Sequence, residues 1–83
     1  MKVIKWDGRA VDYERAKISN TIEKANSEVI GEEKATKEEI ENIIEYIEEL
    51  GKKRILVEDI QDIIEQKLME ISKYDLAKKI YSI

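Results

Sequence analysis

The chain has 83 residues, a net charge of −4, 41% charged residues, and no cysteine, histidine or proline. This excludes a disulfide framework, a thiolate metal centre and the commonest general base, and the acidic balance argues against a nucleic-acid partner, which needs a basic face. One small domain is expected, burying roughly 60–65% of its unfolded surface; no apolar run approaches the ~20 residues of a membrane helix and no signal-peptide pattern opens the chain, so the expectation is a cytoplasmic protein with no membrane partner.

Val3 and Ile4 are β-branched and lead to Asp7-Gly8, a strong two-residue hairpin signal. Gly8 is expected at the second turn position, where φ is positive, and Val11 and Tyr13 alternate along the return strand. Lys5 lies just before the turn and Arg9 just after it. A helix follows at once, with Lys17 in its first turn. Its stripe of Ile18, Ile22, Ala25 and Val29 predicts that it runs to Ile30-Gly31, where the glycine ends it. Backbone N–H groups at that helix start, with lysine and arginine close by, make an anion site, typically for phosphate.

Glu32 to Ala35 read as a charged loop. The second helix has the clearest start: Thr36 as N-cap with Glu39 three residues on, a capping box. Ile40, Ile43, Ile44, Ile47 and Leu50 form its apolar face and Gly51 stops it, while Glu38, Glu39, Glu41, Glu45, Glu48 and Glu49 read as a solvated face. The basic turn Lys52-Lys53-Arg54 leads into a short strand, Ile55-Leu56-Val57, expected to pair beside the hairpin because so short a strand cannot stand alone. The third helix carries Ile60, Ile63, Ile64, Leu68 and Ile71, and lacks a capping residue at its start. Ser72 with Asp75 would cap a fourth helix containing Tyr74, Leu76, Ala77, Ile80 and Tyr81. The sum is an α+β domain of four helices and a small sheet, made of the N-terminal hairpin and one short strand.

Three spaced elements carry a resemblance. Val3-Ile4-Lys5-Trp6-Asp7-Gly8-Arg9, then Tyr13-Glu14-Arg15-Ala16-Lys17-Ile18, resembles the ATP-cone pattern Val-x-Lys-Arg-Asp-Gly-Arg followed by Phe-Asp-x-x-Lys-Ile. Val57-Glu58-Asp59-Ile60-Gln61-Asp62-Ile63-Ile64-Glu65 is similar to that family's third-helix signature, and Tyr74-Asp75-Leu76-Ala77-Lys78 to its closing Tyr-x-x-Ala-Lys/Arg element. The resemblance covers the whole chain, 1–83, as a single domain, and implies the family's fold, a small four-helix bundle capped by a three-stranded sheet.

The resemblance implies a site for ATP or dATP, with Mg²⁺ held only through the phosphates. It places Lys5 and Lys17 on the triphosphate, beside Ile4, Gly8 and Arg9 of the hairpin. It makes Val3, Tyr13 and Ile18 an apolar slot for the purine, and brings Gln61 near the ribose. Glu14 would accept from the adenine amino group or complement the helix N-terminus. The chain departs from the pattern at Trp6, which stands where an arginine is usual and would stack on a base or cover the sheet. Val57 stands where a Ser or Thr phosphate contact is frequent. The plain alternatives are solvated surface lysines and ordinary core packing.

No nucleophile is paired with a base, and there is no Gly-x-x-x-x-Gly-Lys loop; sensing is expected rather than catalysis. By the resemblance, the module gives allosteric control to a ribonucleoside-triphosphate reductase, its partners being that enzyme's catalytic domain and other cones. The absence of the four-cysteine ribbon found beside the cone of a transcriptional regulator, and the short lead-in before the motif, favour the anaerobic reductase class. The apolar pattern at Tyr81-Ser82-Ile83 lacks a helix-stop signal, so the chain is expected to be an N-terminal fragment. The competing readings are a small helical interaction domain without a ligand, and the cone of the transcriptional regulator.

Overall fold

The computed structural model describes residues 1–80; the expectations placed on Tyr81 to Ile83 lie outside them. The elements are β1 (Lys2–Ile4), β2 (Ala10–Asp12), α1 (Arg15–Asn26), α2 (Lys37–Glu49), β3 (Arg54–Leu56), α3 (Val57–Glu70) and α4 (Tyr74–Lys78), with a 3-10 turn at Gly31–Glu33. This is the expected α+β domain of four helices and a three-stranded sheet. Strand order is β2-β1-β3: β1 pairs antiparallel with β2 and parallel with β3. Val3, in the middle of the central strand, lies between Val11 and Ile55 and is buried with Ile55 against the helices. Tyr13 N–H donates to the Met1 carbonyl (3.0 Å) and extends the hairpin pairing by one step.

Isoleucine builds the core. Ile18 and Ile22 from α1, Ile40, Ile43, Ile44 and Ile47 from α2, and Ile60, Ile64 and Leu68 from α3 are buried together with Leu76 and Ala77 of α4. Their spacing puts them on one stripe of each helix, so burying the stripes against one another and under the sheet is what holds the bundle. No described polar or charged residue is buried.

The capping box forms as expected: Glu39 N–H donates to Thr36 Oγ1 (3.1 Å) and Thr36 N–H to Glu39 Oε1 (2.8 Å). Gly51, at φ 64°, follows the α2 C-cap. Four local expectations are corrected. The hairpin loop has three residues rather than two: Lys5 N–H reaches the Arg9 carbonyl (2.8 Å) and Gly8 N–H the Lys5 carbonyl (2.9 Å). Trp6 and Asp7 are therefore the central turn residues, and Gly8 follows them at φ 88°, the left-handed position of a bulged loop. Helix α1 stops at Asn26, not at Gly31, because the Asn26 side chain leaves the helix to bond Ala35. Val29 keeps its buried place although it lies beyond the helix end. Val57 opens α3 instead of closing β3.

The fourth correction concerns Ser72 and Asp75, which form no cap. Ser72 sits at φ 63° just past the α3 C-cap, its N–H donating to the Met69 carbonyl while Lys73 N–H reaches the Leu68 carbonyl. These two bonds are a Schellman closure in which serine occupies the place usual for glycine. The N-terminus of α4 is held from the 3-10 turn, where Glu33 accepts from Asp75 N–H (3.2 Å) and the Glu32 carbonyl accepts from Lys73 Nζ.

Candidate functional site

Parallel pairing of β1 and β3 puts their C-terminal ends side by side. Ile4 is in register with Leu56, so the next residues, Lys5 on one strand and Val57 on the other, leave the sheet at the same edge. Lys5 enters the hairpin loop and Val57 begins α3. Ligands in sheets of this kind gather where parallel strands end, and a helix that starts there adds outward-facing N–H groups. Leu56, the N-cap of α3, has no side-chain acceptor and makes no side-chain cap bond, so among the described residues its side chain leaves the first amides to another acceptor. Glu58 and Asp59 stand in that same turn and temper the attraction for an anion.

Two crevices meet at this edge. The larger, about 250 Å³, lies between the hairpin loop and the start of α3 and is lined by Ile4, Lys5, Trp6, Gly8, Leu56, Val57 and Glu58. The smaller, about 30 Å³, runs between the sheet and α1, where Val3, Tyr13, Glu14, Lys17, Ile18 and Ile60 surround it. Lys5 and Val57 line both, which makes one continuous bipartite site. The smaller crevice holds about one water and admits a flat ring only when its walls part.

The structure therefore brings together the expected residues except Arg9 and Gln61. Arg9 is drawn back to Asp7, its Nε 2.7 Å from Oδ2 and its N–H 3.1 Å from Oδ1. The backbone hydrogen bond from Arg9, then its side chain, holds the Asp7 carboxyl below the ordinary carboxylate range. Gln61 lies one turn beyond Val57 on α3, donating through Nε2 to Glu65 (3.1 Å), and its Oε1 is buried without a hydrogen-bond partner among the described residues. Trp6, 57% exposed on the loop, walls the larger crevice instead of covering the sheet. Lys17 Nζ lies 3.4 Å from the Glu14 carboxylate, an exposed pair that a stronger anion can exchange.

Leu56 and Glu58 were not expected at the site; the parallel register that brings them there has no local signature. Glu48 was read as part of a solvated face, yet it accepts from the Tyr13 hydroxyl (2.8 Å) and from Arg15 Nε (3.1 Å). Arg15 also pairs with Glu41, at 2.8 Å. Burial, and then the bond to Glu48, pushes the Tyr13 phenol well above its ordinary value, while the Tyr13 hydroxyl and Arg15 hold the Glu48 carboxyl low.

The site offers an apolar slot, two lysines and helix-start amides. That set fits a ligand with a flat apolar ring and an anionic tail. Among the described residues no three carboxylates gather to hold a metal by themselves, and no helix is long and apolar enough to cross a membrane. A family model described as the ATP cone domain matches residues 1–82.

Proposed function

The chain belongs to the ATP-cone family, and we propose that its bipartite crevice binds ATP and dATP as competing effectors of a ribonucleoside-triphosphate reductase. The family makes the chain a nucleotide-binding regulatory module. The observation that carries the site is the meeting of the two crevices at Lys5 and Val57. In this reading the purine enters between Val3, Tyr13 and Ile18. The phosphates lie toward Lys5, Lys17 and the first amides of α3, with Mg²⁺ accompanying them and the Trp6 ring closing the outer wall. Lys17 exchanges Glu14 for phosphate, which leaves Glu14 to accept from the adenine amino group.

ATP and dATP differ by one 2′-hydroxyl. Gln61 lines neither crevice in the free protein; in this reading its buried, unpartnered Oε1 accepts from such a group once the walls of the smaller crevice part, and a site that hydrogen-bonds a hydroxyl discriminates against the analogue lacking it. The regulatory output is a coupling free energy of typically ~1–3 kcal/mol, passed to the reductase catalytic domain or to a neighbouring cone. In this reading the enzyme is a reductase of the anaerobic class. Calorimetric titration with ATP and dATP in Mg²⁺ tests the effector assignment. Saturable heat with both, and competition between them, is expected; no heat with either nucleotide would leave a helical interaction domain without a ligand.

A further inference from the structure

Resting on the purine slot proposed above, we infer that Glu48, on α2, is a positioning residue for the site: it fixes the Tyr13 ring as the immobile wall of the slot. Tyr13 is tied at both ends. Its N–H donates to Met1 (3.0 Å) at the edge of the sheet, and its hydroxyl donates to Glu48 Oε2 (2.8 Å), 35 positions along the chain. Glu48 does not swing freely, because the Arg15 guanidinium grips both of its oxygens, Nε at 3.1 Å and Nη2 at 3.3 Å. Arg15 is itself anchored to Glu41. The bond therefore joins the exit of β2, the start of α1 and the last turn of α2 through one carboxylate.

A phenylalanine ring would fill the same apolar space, so the hydroxyl contributes orientation. Another part of the lining is different: Glu14 and Lys17 are exposed, and among the described residues their side chains pair with each other. The slot thus opens on the Glu14–Lys17 side and keeps its shape on the tyrosine side. A wall already ordered in the free protein need not be ordered when the ligand arrives, and that difference appears as affinity. It appears only for ligands that touch the ring, not for the phosphate tail alone.

The test is titration calorimetry on wild type, Glu48→Ala, Glu48→Gln, Tyr13→Phe and the Glu48→Ala/Tyr13→Phe double variant, with ATP and with inorganic tripolyphosphate as probes. Loss of one charge-assisted hydrogen bond near the surface should weaken ATP binding about threefold to tenfold in Glu48→Ala and in Tyr13→Phe. Glu48→Gln, which keeps an acceptor, should restore wild-type affinity. The double variant should bind no more weakly than the weaker single one, since both remove the same bond. Tripolyphosphate affinity should be the same throughout. ATP binding that is unchanged or tighter in Glu48→Ala and Tyr13→Phe overturns the inference. So does a parallel loss for tripolyphosphate, which would mark general damage to the fold. A wild-type protein that takes tripolyphosphate but not ATP, or neither, removes the purine slot itself and this inference with it.

Discussion

The Asn26 side-chain amide closes a two-bond ring with the backbone of Ala35: its Nδ2 donates to the Ala35 carbonyl at 2.8 Å, and Ala35 N–H donates to its Oδ1 at 2.8 Å. This contact ends α1 and aims the chain at the Thr36 capping box. Both bonds are partly shielded from water, so Asn26→Ala strands a donor and an acceptor together. The expected cost is about 2 kcal/mol, or roughly 10 °C in melting temperature for a domain of this size. Asn26→Asp, which keeps one acceptor, should fall between. Thermal denaturation followed by circular dichroism decides it; an Asn26→Ala variant as stable as wild type would show that the loop is held by Val29 packing alone.

Ser72 is the one non-glycine residue with positive φ among those described, at 63°. An L side chain pays roughly 1–2 kcal/mol to stay in that region, and glycine pays much less but gains freedom in the unfolded chain. Ser72→Gly should therefore stabilise the domain by about 0.5–1 kcal/mol, while Ser72→Ala, with the same backbone restriction, should not. Equal urea midpoints for all three proteins would contradict the conformational explanation.

Much of the fold was legible because its signals are local. The Thr36–Glu39 box, Gly51 and the isoleucine stripes declare themselves within a few residues, and the lysines of the candidate site lie in two neighbouring segments, Val3 to Arg9 and Tyr13 to Ile18. What could not be read depends on partners far along the chain. Asn26 meets Ala35 nine positions away, Glu33 caps α4 at Asp75 from 42 positions away, and Glu48 meets Tyr13 across 35. The parallel register of three-residue β3 alone brings Leu56 and Glu58 to the site. Arg9 is the exception: the Asp7 that withdraws it is only two positions away, but the family pattern assigned Arg9 to the site first.

The ionisable groups set a pH window. The Arg9 backbone N–H and then its side chain lower the Asp7 carboxyl from 3.8, Lys2 lowers the Asp12 carboxyl from 3.8, and the Tyr13 hydroxyl and then Arg15 lower the Glu48 carboxyl from 4.5. A depressed folded value means stability that is present above the ordinary value and is lost as pH falls below it. Tyr13 shifts the other way, its phenol raised from 10.0, chiefly by burial and then by Glu48. The unfolded chain then ionises first, so the stability that Tyr13 contributes is complete below pH 10 and shrinks above it. Melting temperature should be flat from about pH 5 to 9 and decline on either side. The advantage of wild type over Tyr13→Phe should diminish above pH 10.0; a constant difference would mean that the hydroxyl is neither shielded by burial nor held by Glu48.

Lys5 and Lys17 approach the proposed phosphate position from the hairpin and from α1, and both line the smaller crevice. A charge-assisted contact to phosphate is worth ~1.5–3 kcal/mol, so the Lys5→Ala/Lys17→Ala variant should bind ATP at least about tenfold more weakly. The loss should deepen at low ionic strength, where wild type gains most from its charges. Unchanged affinity in the double variant would move the phosphates away from this edge of the sheet.

Gln61 separates stability from discrimination. Its Oε1 is buried without a partner among the described residues, while Nε2 donates to Glu65 at 3.1 Å. An unsatisfied buried acceptor is a burden on the free protein, and replacing it by an apolar group of similar size is often neutral or stabilising. Gln61→Leu should therefore melt at or above the wild-type temperature. If the same oxygen receives the ribose 2′-hydroxyl, the variant should lose about 1 kcal/mol of ATP affinity, a factor of roughly five, while dATP binding stays as it was. The two measurements are independent, which makes the pair informative. A stabilised variant with an unaltered ATP-to-dATP ratio would leave Gln61 a packing residue and assign the choice between the nucleotides to another group.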